Sequence, residues 1–468
     1  MLTLDYRNVL NQALAHSVEY LEKLDEASVS ATVDLNHLRD RLSRPLAVEG
    51  ADPVKVINEL VADVEGGILG SQGGRFFGWV IGGSLPAALA ADWLTATWDQ
   101  NAALYACGPA EAVIEEICGK WLKDLLGLPE TSSFALVTGC QMAHVTCLAA
   151  ARNALLKKRG WNVELNGLVA APEFRILCGQ RHGSIDRAVR LLGFGSGQMS
   201  ELPTNNKGRL EPTVLSEALR ENQDSPTIVL LQAGDINTGG FDSFAELIPL
   251  AHDVDAWVHI DGAFGLWANA SPKYRHLLKS VEQADSWATD GHKWLNVPYD
   301  CGYAFIANVT AHRESVSLTA NYLTHDSDAR DQINWNPEWS RRGRGVVTYA
   351  GIRQLGRQGI ASLIERTSLH ANTLVTRIGA LPGAEVVEEA QINQGLVRFI
   401  SDKPEASDGD HDIRTAEVIA RILKSGEAFF TGTTWRGKHC MRVSVCNWRT
   451  SESDVERAIA AARSALGA

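Results

Sequence analysis

The sequence predicts an α/β protein: a mostly parallel sheet between helices, with an N-terminal helical segment and a small α+β domain at the C-terminal end. Three observations predict it. From about residue 134 to 308, short apolar runs alternate with helical stretches, as βαβ units do. Residues 1–75 carry apolar side chains at three- and four-residue spacing, the period of a helix. After residue 345 one long helical stretch leads into mixed sequence with strand-like runs. The expected parts are therefore 1–75, 76–345 and 346–468.

In order along the chain, LNQALAHSVEYLEKL and VKVINELVADVEGGI read as N-terminal helices, and EAVIEEICGKWLKDLLG as a helix that stops at a Gly-Leu-Pro break. FALVTG, FRILCG, TIVLLQAG, AWVHIDGAFG and CGYAFIAN read as strands running into turns. The residues between them, MAHVTCLAAARNALL, SIDRAVRLLG and SFAELIPLAHDV, read as helices. Residues 345–381 form the long helical stretch, LVRFIS and CMRVSVCN are strand-like, and SESDVERAIAAARSALG is a final helix with Ser451 as N-cap. The polar stretch SDKPEASDGDHD (401–412) reads as an exposed loop. No repeat and no low-complexity tract is present.

Composition narrows the function classes. The 468 residues are 45% apolar, enough for a large core. The formal charge of −12 and the lack of a basic run argue against nucleic acid and anionic membranes as main partners. No apolar run approaches the roughly 18 residues of a membrane span. The start, MLTLDYRNVLNQ, has no basic region followed by an apolar one. The eight cysteines are scattered with no Cys-x-x-Cys pair, so reduced thiols and a cytoplasmic setting are expected. No His, Cys or carboxylate cluster has metal-ligand spacing, so no metal is expected.

Five segments carry candidate chemistry. In TDGHKWLNVPYDCG (289–302) a lysine follows a histidine at a strand-to-loop junction. Burial there would disfavour the ammonium, and a neutral Lys293 can form a Schiff base with a carbonyl cofactor; the plainer reading is a lysine snorkelling from a helix end. In VHIDGAFGLWA (258–268), Asp261 ends an apolar strand. It can pair with the ring nitrogen of a pyridine cofactor, or simply cap a turn. LVTGCQMAHVT (136–146) places a glycine turn between strand and helix, and Thr138, Gly139, Cys140 and Gln141 would cradle a phosphate, although most βα connections contain such a glycine. His182, in CGQRHGSIDRAVRLLG, can stack on a flat ring or be an ordinary loop histidine beside the N-cap Ser184. QAGDINTGGFD (232–242) offers Asn237 and Thr238 to the same crevice, or makes only a turn.

The order of these signals, each at the end of an expected strand, resembles the group II pyridoxal-phosphate (PLP) decarboxylases. These are fold-type I enzymes that include the aromatic amino acid, histidine, glutamate and diaminobutyrate decarboxylases. The resemblance runs from RFFGWVIGGSLPAALAADWL (75–94) to NWRTSESDVERAI (447–459), and its most specific part is His-Lys-Trp with the upstream Asp-Gly-Ala. It implies the fold-type I transferase architecture around a seven-stranded sheet, and PLP as cofactor. It implies that Lys293 forms the internal aldimine and that His292, Thr138, Gly139 and Cys140 hold the phosphate. Asp261 would pair with the pyridinium, Ala263 lie beneath the ring, His182 stack above it and share in proton transfer, and Asn237 and Thr238 lie nearby. It implies decarboxylation of an L-amino acid to its amine, and a homodimer with sites at the subunit interface and the N-terminal segment wrapped around the partner. Phe76 and Phe77 would then help to form the substrate pocket, with Trp79 and Tyr105 as further hints of an aromatic or apolar one.

One departure bears on the product. Many members of the family carry a tyrosine on a mobile loop that returns the proton to Cα. With the loop aligned on Trp335 and Arg341–Arg342, that position falls on Gln332, and glutamine does not titrate in the working range. His182, His325 and Tyr322 are the alternative donors. The other expected outcomes on this scaffold are oxidative deamination to an aldehyde, C–C bond cleavage and transamination, and a third class is a non-catalytic binding protein on a decayed enzyme fold. Arg442 stands where fold-type I aminotransferases keep an arginine for the substrate carboxylate; a structural ion pair is the competing role.

Overall fold

The computed structural model describes residues 5–318 and 329–467. The chain divides into two compact units, one of residues 82–372 and 388–395, the other of residues 1–81, 373–387 and 396–468. The first 81 residues thus cluster with C-terminal residues instead of standing as a third part. The reason is local. Phe77 N–H donates to Phe429 O, Ser444 N–H to Phe77 O, and the buried Arg75 guanidinium donates to four carbonyls, of Asp25, Ala27, Gly426 and Glu427.

The larger unit holds a seven-stranded sheet of β1 (Ser133–Val137), β2 (Arg175–Cys178), β3 (Met199–Glu201), β4 (Thr227–Gln232), β5 (Trp257–Asp261), β6 (Ser286–Asp290) and β7 (Gly302–Ile306). Their order across the sheet is β1-β7-β6-β5-β4-β2-β3. Only β7 is antiparallel to its neighbours. Two antiparallel steps restore direction, so β1 points the same way as β6, β5, β4 and β2. The carboxyl ends of all five therefore meet one edge, the edge where open α/β sheets gather their functional loops. β1 and β4 to β7 are buried at every position, which is why most read as continuous apolar runs. β6, Ser-Trp-Ala-Thr-Asp, escaped the sequence reading because three of its five residues are polar.

The helix Cys140–Lys158 lies along the sheet on small side chains, with Ala143, Cys147, Ala150 and Ala151 all buried. The stretch from Gly345 to Gly379 is two helices joined at Gly356, whose φ of 60° and ψ of 178° no helix accommodates.

In the other unit, the helices Tyr6–Lys23, Leu35–Leu42 and Pro53–Val64 start on Asp5, Asp34 and Asp52, each accepting backbone N–H bonds as an N-cap. None of the three helices buries a residue. A second sheet has the order β10-β11-β9-β8, from β8 (Ala384–Glu388), β9 (Gln394–Phe399), β10 (Thr431–Trp435) and β11 (Lys438–Ser444). The polar stretch at 401–412 is loop only in its first half. A helix begins at Asp408, because Ser407 and Asp410 form a reciprocal capping box. The final helix, Glu452–Leu466, starts on Ser451 as expected. Among the described residues no helix is long and apolar enough to cross a membrane.

Candidate active site

Two neighbouring strands end in aspartates, and the site is built between them. Asp261 ends β5 and pairs in register with Ala288 of β6, two residues before Asp290. Gly262 N–H donates to Ala288 O at 2.9 Å and Asp290 N–H to Ala263 O at 3.0 Å. Backbone bonds thus fix the spacing of the two carboxylates.

Asp290, 2% exposed, gathers three partners. Its Oδ2 lies 2.9 Å from Lys293 Nζ. Its Oδ1 accepts the backbone N–H of Cys140 at 2.6 Å and lies 3.5 Å from His292 Nε2. Burial pushes against the charge of Asp290, but Lys293 and His292 outweigh burial and hold the carboxyl below its usual range. Burial likewise works against the charge of Lys293; Asp290 overcomes it, with Cys140 and Asp261 adding to the effect, and the ammonium is held above the usual lysine range. This corrects the expectation that burial alone would ease the proton off Lys293. An opposite charge at ion-pair distance reverses the sign.

The lysine loop is held from both sides. His292 Nδ1 accepts from Cys301 N–H at 3.1 Å and its ring stacks on Tyr299, centroids 4.4 Å apart. Burial lowers the His292 pKa, with Asp290 opposing. Asn296 sits at φ 58°. Its Oδ1 accepts from Gly83 N–H at 2.7 Å, and its carbonyl from Leu85 N–H at 2.9 Å. Gly82 is required there, since a Cβ would stand 2.0 Å from Lys293 O.

The glycine turn expected between strand and helix is present. β1 ends at Val137, Thr138 and Gly139 turn the chain, and Cys140 opens the 19-residue helix. Gly139 gives the helix no side-chain cap, and a Cβ on it would meet His292 Cε1 at 3.0 Å. The turn and the lysine loop are therefore in contact.

Behind Asp261 is a wall that the sequence did not disclose. His144 Nε2 lies 3.7 Å from Asp261 Oδ1. His144 Nδ1 meets His259 Nε2 at 2.9 Å, and His259 Nδ1 meets Ser286 Oγ at 2.9 Å. Burial lowers the pKa of His144 and, with His144 beside it, pushes that of His259 down to about 3. Both histidines are neutral at pH 7. Cys140 Sγ, His144 Nε2 and Asp261 Oδ1 come within 4.8 Å of one another. Sequence spacing gave no sign of that grouping, because packing of the helix against β5, and not sequence, brings Asp261 to the Cys-x3-His of the helix.

Other expected residues are tied to their own turns. His182 is exposed, caps the helix Gly183–Leu191 through Ser184 N–H, and its Nδ1 meets Ser184 Oγ at 2.8 Å. Asp235 Oδ1 accepts from the N–H groups of Asn237 and Thr238, both at 2.8 Å; this is an Asx-type turn. Ala263 N–H donates to Asp261 Oδ1 at 3.1 Å. Tyr105 opens a short 3-10 turn, its N–H on Asp331 Oδ1. Gln332 is wholly buried in another 3-10 turn, its side-chain oxygen accepting from Arg330. Tyr322 and His325 lie outside the described residues. In the other unit, Phe76 and Phe77 are 2% and 0% exposed and stack on Phe429 and Phe430. Arg442 is buried there and donates to Thr431 Oγ1 across the β10–β11 ladder.

A lysine amine beside a helix start whose N-cap is a glycine, one strand from a carboxylate backed by neutral histidines, suits a cofactor with an aldehyde, a phosphate and a basic ring nitrogen. Gln141 Nε2 is buried without a partner at the same turn, a donor that such a phosphate could take. Fold and site together define a PLP-dependent enzyme.

The family model described as "Pyridoxal-dependent decarboxylase conserved domain" matches residues 7–401. The aromatic-L-amino-acid decarboxylase of Bacillus atrophaeus is 27% identical over 458 residues, 96% of this chain and 93% of that protein. The 4-hydroxyphenylacetaldehyde synthase of Rhodiola rosea is 26% identical over 453 residues, 94% of this chain and 90% of that protein. A crystal structure of Oryza sativa TDC with PLP and tryptamine superposes with a TM-score of 0.93 at 22% identity, covering 100% of this chain and 99% of that one. The chain belongs to the pyridoxal-dependent decarboxylase family; it is a PLP-dependent amino-acid decarboxylase, a carboxy-lyase.

Proposed function

We propose that the chain removes the carboxylate of an aromatic L-amino acid to give the amine, with Lys293 as the residue that bonds the cofactor. The observation that carries this reading is the placement of Lys293 and Asp261 at the carboxyl ends of adjacent strands in a chain of the decarboxylase family. Bound PLP supplies the electron sink for the pair released when the bond from Cα to the carboxylate breaks. Asp261 keeps a proton at the ring nitrogen. The turn at Thr138, Gly139 and Cys140, with Gln141 and His292, holds the phosphate. Ala263 and His182 would bound the ring, with Asn237 nearby. Asp290 holds the amine of Lys293 as ammonium whenever that amine is not bonded. The residues that orient the substrate decide which bond of Cα breaks. Phe76, Phe77 and Tyr105 are the proposed substrate neighbours. An aromatic side chain is supported by the named activity of the Bacillus atrophaeus relative.

The test is to give the PLP-loaded protein a panel of L-amino acids in air and identify products by mass spectrometry. The expected product is the simple amine of an aromatic substrate. A keto acid, or no product from any substrate, would sink the reading. A second reading, oxidative deamination to aldehyde and ammonia, is favoured by the Rhodiola rosea relative and by the non-titrating Gln332, and the same experiment tells the two apart.

A homodimer belongs to this proposal. Tyr6, Leu10, Leu14 and Val18 form a stripe at four-residue spacing on the first helix and stay 67%, 52%, 47% and 42% exposed. A stripe of that kind is an interaction surface. Light scattering should give twice the chain mass, and Leu10→Asp with Leu14→Asp should give a monomer; an unchanged mass would remove this helix from the interface. A cytoplasmic setting is supported by the eight cysteines, all of them free thiols.

A further inference from the structure

The groups assigned to the cofactor in the proposed function converge on an anion that the chain itself supplies. Asp290 takes the first N–H of the helix Cys140–Lys158, the amine of Lys293 and the approach of His292. These are the donors on which a phosphate at this turn would depend. We propose that Asp290 is an internal occupant of the phosphate cradle, and that the cofactor phosphate must compete with it for Cys140 N–H and His292.

Several observations carry this. The Asp290 carboxylate has little room to withdraw. Its backbone is tied on both sides, N–H to Ala263 O and carbonyl from Trp267 Nε1 at 2.9 Å. Its Oδ1 lies 3.5 Å from the position a Cβ on Gly139 would take and 3.0 Å from that on Gly302, so glycines line the space it fills. A phosphate arriving at the turn meets a like charge that is buried, where repulsion is screened least. The groups that face Asp290 are Lys293, His292 and the helix start, with Cys140 and Asp261 also close to Lys293. Only Lys293 is a full cation among them. Were Lys293 to bond a cofactor aldehyde, its nitrogen would have fewer N–H groups to offer Asp290, and the cradle would hold two anions with fewer donors. Gln141 Nε2 and the turn's remaining amides are what the phosphate gains without a contest.

The inference rests on the proposed function, and its test is chosen to separate the two. Apo-protein is titrated with 4′-deoxypyridoxine and with its 5′-phosphate. Neither has an aldehyde, so Lys293 bonding drops out and the ratio of the two affinities reports the phosphate alone. Asp290→Asn should raise that ratio by at least ~10-fold, as removal of a like charge worth about 1.4 kcal/mol would do. Inorganic phosphate should compete with the phosphorylated ligand better in the variant than in the wild type. A ratio unchanged or lowered in Asp290→Asn would show that Asp290 supports the phosphate and overturn the proposal.

Wild type alone gives a second measurement, should the variant fail to fold. The second ionisation of a phosphate monoester lies near pH 6, so the affinity ratio should fall as pH rises from about 5 to 7.5. A ratio that rises over that range would equally overturn the proposal. Borohydride reduction of wild type with PLP, followed by peptide mass spectrometry, reads the function separately. Cofactor fixed on Lys293 with an unaltered affinity ratio rejects the competition alone, whereas no fixed cofactor on Lys293 rejects the proposed function.

Discussion

Asp261 and Asp290 are the same residue type at the same kind of position, the last residue of adjacent strands, and their surroundings make them opposites. Asp290 is saturated: a cation, a helix amide and an imidazole converge on it within 3.5 Å. Asp261 has one backbone N–H, a thiol at 4.0 Å and a neutral imidazole at 3.7 Å. One carboxylate is spent on the protein's own charges and the other is left able to serve a ligand. Position in the fold brings a carboxylate to the site; its partners decide what it can do there.

Substitutions can break that contrast. The largest effect is expected at the cation itself. Lys293→Ala should lower kcat/KM by at least ~10³-fold, as loss of a covalent catalytic group does, and the variant should take up no borohydride-fixed cofactor. Retained turnover would move the cofactor bond to another lysine. Asp261→Asn should cost roughly 10- to 100-fold in kcat, the worth of a charge-assisted bond, but only about 1 kcal/mol of stability. Asp290→Asn should invert the pattern, with stability falling by roughly 3–5 kcal/mol, because a buried pair loses one partner. Urea unfolding beside steady-state kinetics reads both variants, and equal stability losses would erase the distinction between the two aspartates.

The smallest effect concerns the wall behind Asp261. His259 has its pKa pushed down to about 3, first by burial and then by His144. A depressed histidine stays neutral in the folded chain while the unfolded chain takes up its proton below about pH 6.5. Its contribution is therefore lost as pH falls from 6.5 towards 3, at up to about 1.4 kcal/mol per pH unit. His259→Gln lacks that titration. The stability gap between wild type and variant should narrow between pH 7.5 and 5, and parallel curves would mean that His259 titrates normally.

Much of this was legible in the residues. The βα alternation gave the sheet, Asp261 and the Gly139 turn could be read because each follows an apolar strand, and Lys293 because it follows a histidine in a segment flanked by apolar residues. Asp290 lies three residues before Lys293 and carries no such signal. Its strand, Ser-Trp-Ala-Thr-Asp, is mostly polar and carries no apolar run, and its role depends on a helix amide 150 residues away. His144 and His259 were equally silent, since only strand–helix contact joins them. The resemblance placed Gln332 on a mobile loop, whereas local packing around Arg330 buries it. The exposed stripe at Tyr6 to Val18 was visible as helical period, but period alone does not say what a face meets.

The two backbone hydrogen bonds that link the ends of β5 and β6, Gly262 to Ala288 and Asp290 to Ala263, have a consequence for how such an enzyme can change over generations. They make the separation of Asp261 from the lysine loop a property of main-chain geometry, which side-chain replacement leaves alone. Drift can remodel the residues that recognise a substrate, and lineages can diverge in what they consume, while this internal gauge keeps its length. Only an insertion, a deletion or a slipped strand would alter it, and each would unmake the sheet as well.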